Sequence, residues 1–128
     1  MIRTLAVAMT LALPAHAQSV PVGDWVGLGF QNGESWTMEL QIVQGGARVD
    51  YPGLPCGGVW QFIPEQAKLH AIEWLTYGQE FCLDELLVTI EPAKNDQLMI
   101  RWFDEFGSEI AHAPLSRVGG KPNKSREN

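Results

Sequence analysis

The residues best suited to nucleophilic or metal chemistry are Cys56, Cys82, His70 and His112. Their spacing supports neither. The two histidines share no metal-ligand interval with each other or with a cysteine, so both are expected to be solvated or core residues. A catalytic thiol needs a partner base beside it, and none is marked out for either cysteine. Gly33-Glu34-Ser35-Trp36-Thr37 approaches a nucleophile elbow, yet it lies within hairpin signals rather than at a strand-to-helix turn. Glu80, Asp84 and Glu85 are close in sequence, whereas paired glycosidase acids oppose each other across a substrate. They are expected to be solvated charges. No catalytic residue, metal ligand or cofactor site is predicted.

Glu73 is the more informative carboxylate. In Ala67–Leu75, Glu73 alternates in phase with Ala67, Leu69, Ala71 and Leu75, whereas Lys68, His70, Ile72 and Trp74 form the other face. The first face is the more apolar, which points Glu73 inward. A buried carboxylate needs a partner. Arg101, in phase with Met99 and Phe103, is the candidate, giving an interior polar pair that is either structural or ligand-orienting.

The elements that must hold these residues are strands. Trp36-Thr37-Met38-Glu39-Leu40-Gln41-Ile42 alternates apolar and polar residues without a break, as a half-buried strand does. Turn chemistry marks off eight segments in all: Asp24–Gln31, Ser35–Val43, Ala47–Tyr51, Gly58–Ile63, Ala67–Leu75, Glu85–Glu91, Gln97–Phe103 and Ser108–Val118. Asn32-Gly33 and Gly45-Gly46 are hairpin signals, and Pro52-Gly53-Leu54-Pro55 and Pro64 interrupt pairing. Phe81–Val88 has room for a helical turn. Eight hairpin-linked strands predict an all-β fold, a small antiparallel up-and-down barrel, with a β-sandwich as the alternative. In a meander, alternate connections share a rim, so Cys56 and Cys82 fall on the same one.

Residues 1–17 carry the features of a cleavable signal peptide. These are Arg3, the apolar run Leu5–Leu13, Pro14, and Ala15-His16-Ala17 before the expected cleavage. The run is too short to span a bilayer. Removing 17 of 128 residues leaves 111, enough for one domain, and the loss of Arg3 takes the formal net charge from −6 to −7. Such acidity argues against nucleic acid or an anionic membrane surface as partner. Residues 18–118 are read as the domain, and 119–128 (GGKPNKSREN) as a disordered basic tail. Export to the periplasm or beyond, with an even cysteine count, predicts a Cys56–Cys82 disulfide.

Three resemblances extend this reading. Gly23-Asp24-Trp25 in the first strand and Leu115-Ser116-Arg117 in the last resemble the ends of lipocalin-like (calycin) barrels. That resemblance implies that Arg117 packs over Trp25 to close the barrel base. Tyr51-Pro52…Cys56-Gly57-Gly58-x-Trp60 with Glu73…Thr76-x-Gly78…Cys82 is similar to a group of small bacterial secreted domains, over about a third of the mature chain. It implies no established role. In size, single disulfide and closing Ser-Arg, the chain also resembles bacterial inhibitors of extracellular metalloproteases, whose N-terminal segment would correspond to Gln18–Val22.

The expected function is that of an exported, non-catalytic binding module. An eight-stranded barrel is only just wide enough to be filled by side chains. With five tryptophans and five phenylalanines, the interior is expected to be packed solid, leaving recognition to Leu54, Pro55, Tyr77 and Phe81 on the disulfide rim. The expected partner is another exported protein or a small apolar ligand. Inhibition of a periplasmic or secreted hydrolase, of protease or lysozyme class, is the alternative, and a small enzyme ranks third.

Overall fold

The computed structural model describes residues 19–64 and 66–119, so the expected signal segment and the tail beyond Gly119 lie outside the described residues. Eight antiparallel strands follow one another around a closed barrel in chain order. They are β1 (Gly23–Gln31), β2 (Glu34–Val43), β3 (Gly46–Tyr51), β4 (Cys56–Ile63), β5 (Leu69–Tyr77), β6 (Leu86–Ala93), β7 (Gln97–Phe103) and β8 (Glu109–Arg117). The barrel, not the sandwich, is the architecture. β1 pairs with both β2 and β8, so no open edge remains. Among the described residues there is no helix, and the helical turn allowed for at Phe81–Val88 does not form.

Strand bounds follow the turn chemistry to within two residues; β4 starts two residues early at Cys56, and β5 starts two residues late at Leu69. β5 runs two residues past Leu75 to Tyr77, because Gly78 (φ +71°) rather than the preceding chain makes the turn. β6 continues through Pro92, which pairs with Leu98 of β7. Pairing with β5 has already ended at Ile90, so the missing proline N–H breaks no bond on that side.

Alternation places one side chain in two inside. Trp25, Leu40, Ile42, Ala47, Ile90, Leu98, Ile100, Ala113 and Leu115 belong to one buried cluster. At the rim holding both ends of the domain, the Arg117 guanidinium lies 4.3 Å from the centre of the Trp25 ring. Arg117 Nη1 donates to the Val22 carbonyl at 2.7 Å and Nε to Asp96 at 3.0 Å. Trp25 Nε1 donates to Pro21 O at 3.0 Å. This is the closure expected of Trp25 and Arg117, a cation–π contact tied by hydrogen bonds.

The opposite rim carries the loops after β1, β3, β5 and β7. There Cys56, at the start of β4, is bonded to Cys82 in the β5–β6 loop, with Cα atoms 6.4 Å apart. The interior beneath this rim is not packed solid. A cavity of about 260 Å³ opens there, which corrects the expectation of a filled barrel. A small inward residue, Ala111 of β8, lines it, whereas the space over Gly29 of β1 is taken by the Trp36 ring.

Candidate functional site: a cup beneath the disulfide rim

The cup has a carboxyl floor, aromatic walls and a covalently tethered loop above it. Its lining includes Trp36, Tyr51, Leu54, Glu73, Phe81, Cys82, Leu86 and Trp102, with Glu34 at the mouth. Each wall residue arrives by strand parity. Trp36 is in phase with Met38, Leu40 and Ile42 on β2; Tyr51 with Ala47 and Val49 on β3; Trp102 with Leu98 and Ile100 on β7. All face inward because these are the apolar faces of their strands.

Glu73 is only 3% exposed, and three donors from three strands converge on one of its oxygens. Tyr51 Oη donates to Oε2 through a short hydrogen bond, Trp60 Nε1 donates at 2.8 Å, and Trp102 Nε1 approaches at 3.4 Å. Among the described residues none bonds Oε1, and Oε1 is not sealed away either. Among the described residues the buried side-chain polar atom left without a partner is Thr89 Oγ1 of β6, away from the cup. Glu73 lines the cup, so its carboxyl is the charged group that an occupant meets at the floor.

Burial raises the Glu73 carboxyl above its ordinary value; the bonds from Tyr51, Trp60 and Trp102 pull it down, and the charge of Asp84 adds to the rise. Burial, followed by the Glu73 charge, holds the Tyr51 hydroxyl well above its usual range, so it stays a donor.

The inward orientation of Glu73 agrees with its parity, but its expected pairing with Arg101 does not form. Arg101 stands on the outer wall and donates from Nη1 to Glu109 at 2.9 Å. The physical reason lies in β7. Both faces of Leu98–Phe103 are largely apolar, so alternation alone leaves the inward face undecided. Placing Ile100 and Trp102 inside avoids desolvating a guanidinium. Two indoles and a phenol then serve the carboxylate instead of a cation.

The four rim residues separate. Leu54 and Phe81 line the cup. Tyr77 is on the outer wall, where its hydroxyl donates to Asp50 over Gly57. Pro55 is exposed, with its carbonyl against Gly78. There a Cβ would stand 2.2 Å from Pro55 O and 2.6 Å from Cys56 Cα, so Gly78 both turns the chain and lets it pass the disulfide.

β5 and β6 part above Glu73↔Leu86, their last pair. The freed Leu75 N–H is taken by Asp84 Oδ1 at 2.8 Å, which also accepts from Glu85 N. Together with the disulfide, this carboxylate fixes the loop that brings Phe81, Cys82 and Leu83 to the mouth. Asp84 is therefore a structural acceptor rather than a free rim charge.

Sequence reasoning did not single out Trp36, Trp102 or Glu34, nor assign Tyr51 and Trp60 to a site. For the last two a signal existed. Tyr51, Cys56, Trp60, Glu73, Gly78 and Cys82 all belong to the Tyr-Pro…Cys-Gly-Gly and Glu…Thr-x-Gly…Cys pattern, and they meet here in three dimensions. His70 and His112 are apart from the cup. His112 stacks on Phe30 outside, at 5.6 Å between ring centres, and His70 Nδ1 is within 2.8 Å of Lys68 O. Among the described residues no group of three or more His, Cys, Asp or Glu side chains is placed to hold a metal, and no helix is long and apolar enough to cross a membrane.

Compared with known protein families, with curated proteins and with solved structures, the chain matches none of them.

Proposed function

We propose that this protein is an exported, non-catalytic binding module whose ligand seat is the cup beneath the Cys56–Cys82 rim. The observation that carries this is Glu73: a buried carboxyl that lines the cavity, with three donors and no cation on one of its oxygens. An apolar fold does not need such a group, and burying it is unfavourable unless something is gained. A concave site that joins aromatic and aliphatic walls to a few oriented polar groups is the usual form of a small-molecule seat, and the cup has that mixture. The carboxyl floor makes a wholly apolar ligand a poor fit.

A fragment screen followed by ¹H–¹⁵N spectra tests this role. Fragments should shift the indole resonances of Trp36 and Trp102 and the amides of Leu86 and Ala111, and Ala111→Leu should abolish those shifts. A screen in which no fragment perturbs these signals would remove the cup as a binding site. Intact mass of the exported protein tests the compartment, since cleavage after Ala17 leaves a chain beginning at Gln18.

A second reading, inhibition of a secreted hydrolase, draws support from Phe106. Its side chain is 85% exposed at the tip of the β7–β8 loop, on the same rim as Phe81 and Leu83. Asp104 Oδ1 accepts from both Phe106 N and Ser108 N at 2.9 Å, which pins the loop. A rigidly presented aromatic ring is a suitable protein anchor. Assays against metalloproteases, serine proteases and lysozymes, with Phe106→Ala alongside, test this directly.

A further inference from the structure

We propose that the cup takes a small organic cation, a primary ammonium on a short alkyl or aryl arm, with the Glu73 carboxylate as its counter-charge. This ligand class rests on the binding role proposed above.

Charge narrows the choice first. The lining contains Glu34 and Glu73 and no lysine, arginine or histidine, and Asp84 belongs to the loop over the mouth. An anion would meet two carboxylates with no compensating positive group. A neutral hydrocarbon would cover the Glu73 carboxyl without offering it a further partner. An ammonium N–H⁺ both bonds the carboxylate and cancels its charge, the stronger kind of hydrogen bond.

The walls point the same way. Trp36, Tyr51 and Trp102 pack edge to face, with ring centres 5.3 Å apart for Trp36–Tyr51 and Trp36–Trp102, and Phe81 stands at the mouth. Aromatic rings beside a carboxylate attract a cation and shelter its methylene groups. Size sets the limit. At about 260 Å³ the cup is below the range of about 300–1,000 Å³ usual for a drug-sized ligand. That excludes a folded polymer and suits a short amine.

Proton linkage gives a signature that shape alone lacks. The groups around Glu73 are Tyr51 of β3, Trp60 of β4 and Trp102 of β7, all donors, with Asp84 of the β5–β6 loop and Glu34 of β2 as neighbouring acids. Burial favours the protonated carboxyl in the empty cup, whereas an ammonium favours the carboxylate. Binding therefore releases a proton while pH lies below the empty-cup pKa. Affinity then rises by up to about tenfold per pH unit before levelling above that pKa.

The test is a titration of the folded protein with n-butylammonium chloride, 1-butanol and sodium butyrate. It is read by tryptophan fluorescence and by calorimetry in two buffers of different ionisation enthalpy. The ammonium should bind at least about tenfold more tightly than the alcohol, because a hydrogen bond to a charged group is stronger than a neutral one. Butyrate should not bind, and a proton should be released at pH below the plateau. Glu73→Gln should lose about tenfold or more in ammonium affinity while keeping its melting transition. The exposed Glu34→Gln, which leaves the interior untouched, should lose a smaller factor.

Equal affinity for butanol and butylammonium, or an unweakened Glu73→Gln variant, would overturn the cation. The fragment result would in that case still decide whether the cup binds at all. Nα-acetyl-lysine methylamide is the arm that separates sources. Tighter binding than butylammonium identifies a protein side chain, weaker binding identifies a free amine, and binding of neither overturns the ammonium class.

Discussion

Gly29 and Trp36 are register partners across β1 and β2, and the Trp36 ring occupies the volume that a side chain on Gly29 would fill. A Cβ on Gly29 would lie 2.1 Å from the ring, and the ring forms a wall of the cup. Gly29→Ala therefore has to displace Trp36. The expected loss is about 1–3 kcal/mol, the usual effect of overpacking. Thermal melting should show it, together with a changed tryptophan emission spectrum and weakened fragment binding. An unchanged spectrum would mean that the indole has room elsewhere.

Glu73 separates shape from charge. Glu73→Gln keeps a carbonyl oxygen to accept from Tyr51, Trp60 and Trp102 and should stay within about 1 kcal/mol of the parent at neutral pH. Glu73→Leu leaves buried donors without an acceptor, each costing about 1–3 kcal/mol, and should melt far lower. The interior pair with Arg101 would have required the opposite, a large loss on Glu73→Gln. Arg101→Met, which removes a partly exposed bond to Glu109, should change stability by less than about 1 kcal/mol.

The same carboxyl sets a pH dependence. Its folded pKa is raised above the ordinary 4.5 by burial, so the folded state holds the proton more tightly than the unfolded chain. That contribution is fully present below the unfolded value and is lost as pH climbs through the folded one. Denaturant melts from about pH 4 to 8 should show the parent losing stability relative to Glu73→Gln as pH rises. Parallel curves would show that Glu73 titrates normally.

The disulfide spans a sequence separation of 26 and tethers the loop over the cup. Its removal in a Cys56→Ser, Cys82→Ser double variant should lower stability by about 3–4 kcal/mol through regained chain entropy. Amide exchange should rise most in residues 78–85, whose remaining anchors are the two bonds to Asp84, the bond from Gln79 Nε2 to Leu75 O and a local turn bond. Uniform exchange across the barrel would show that the bridge serves the whole fold instead.

At the other rim, Arg117→Gln loses the contact over Trp25 and should cost about 1–2 kcal/mol. Arg117→Lys should recover only part of this, because a lysine cannot donate to Val22 O and Asp96 while stacking on the indole. Chemical denaturation of the three proteins gives the order.

What the sequence by itself determined is local or combinatorial. Alternation over Trp36–Ile42 makes a strand wherever the chain places it, and Asn32-Gly33 closes a hairpin between immediate neighbours. Seven successive hairpins among eight strands put alternate loops on common rims, so the Cys56–Cys82 bond was legible in the sequence, as was the inward parity of Glu73. Only the tertiary structure decided what meets that carboxyl. Trp60, 13 residues away, is its register partner on the neighbouring strand, whereas Tyr51 and Trp102, 22 and 29 residues away, come from β3 and β7, which do not pair with β5 and meet it only across the closed barrel. The inward face of β7 was equally undecided locally, since Arg101 and Trp102 exchange sides with a one-residue slip. Closure of the sheet settled it by burying Trp102 and leaving Arg101 outside, and the space left beside Ala111 became the cup.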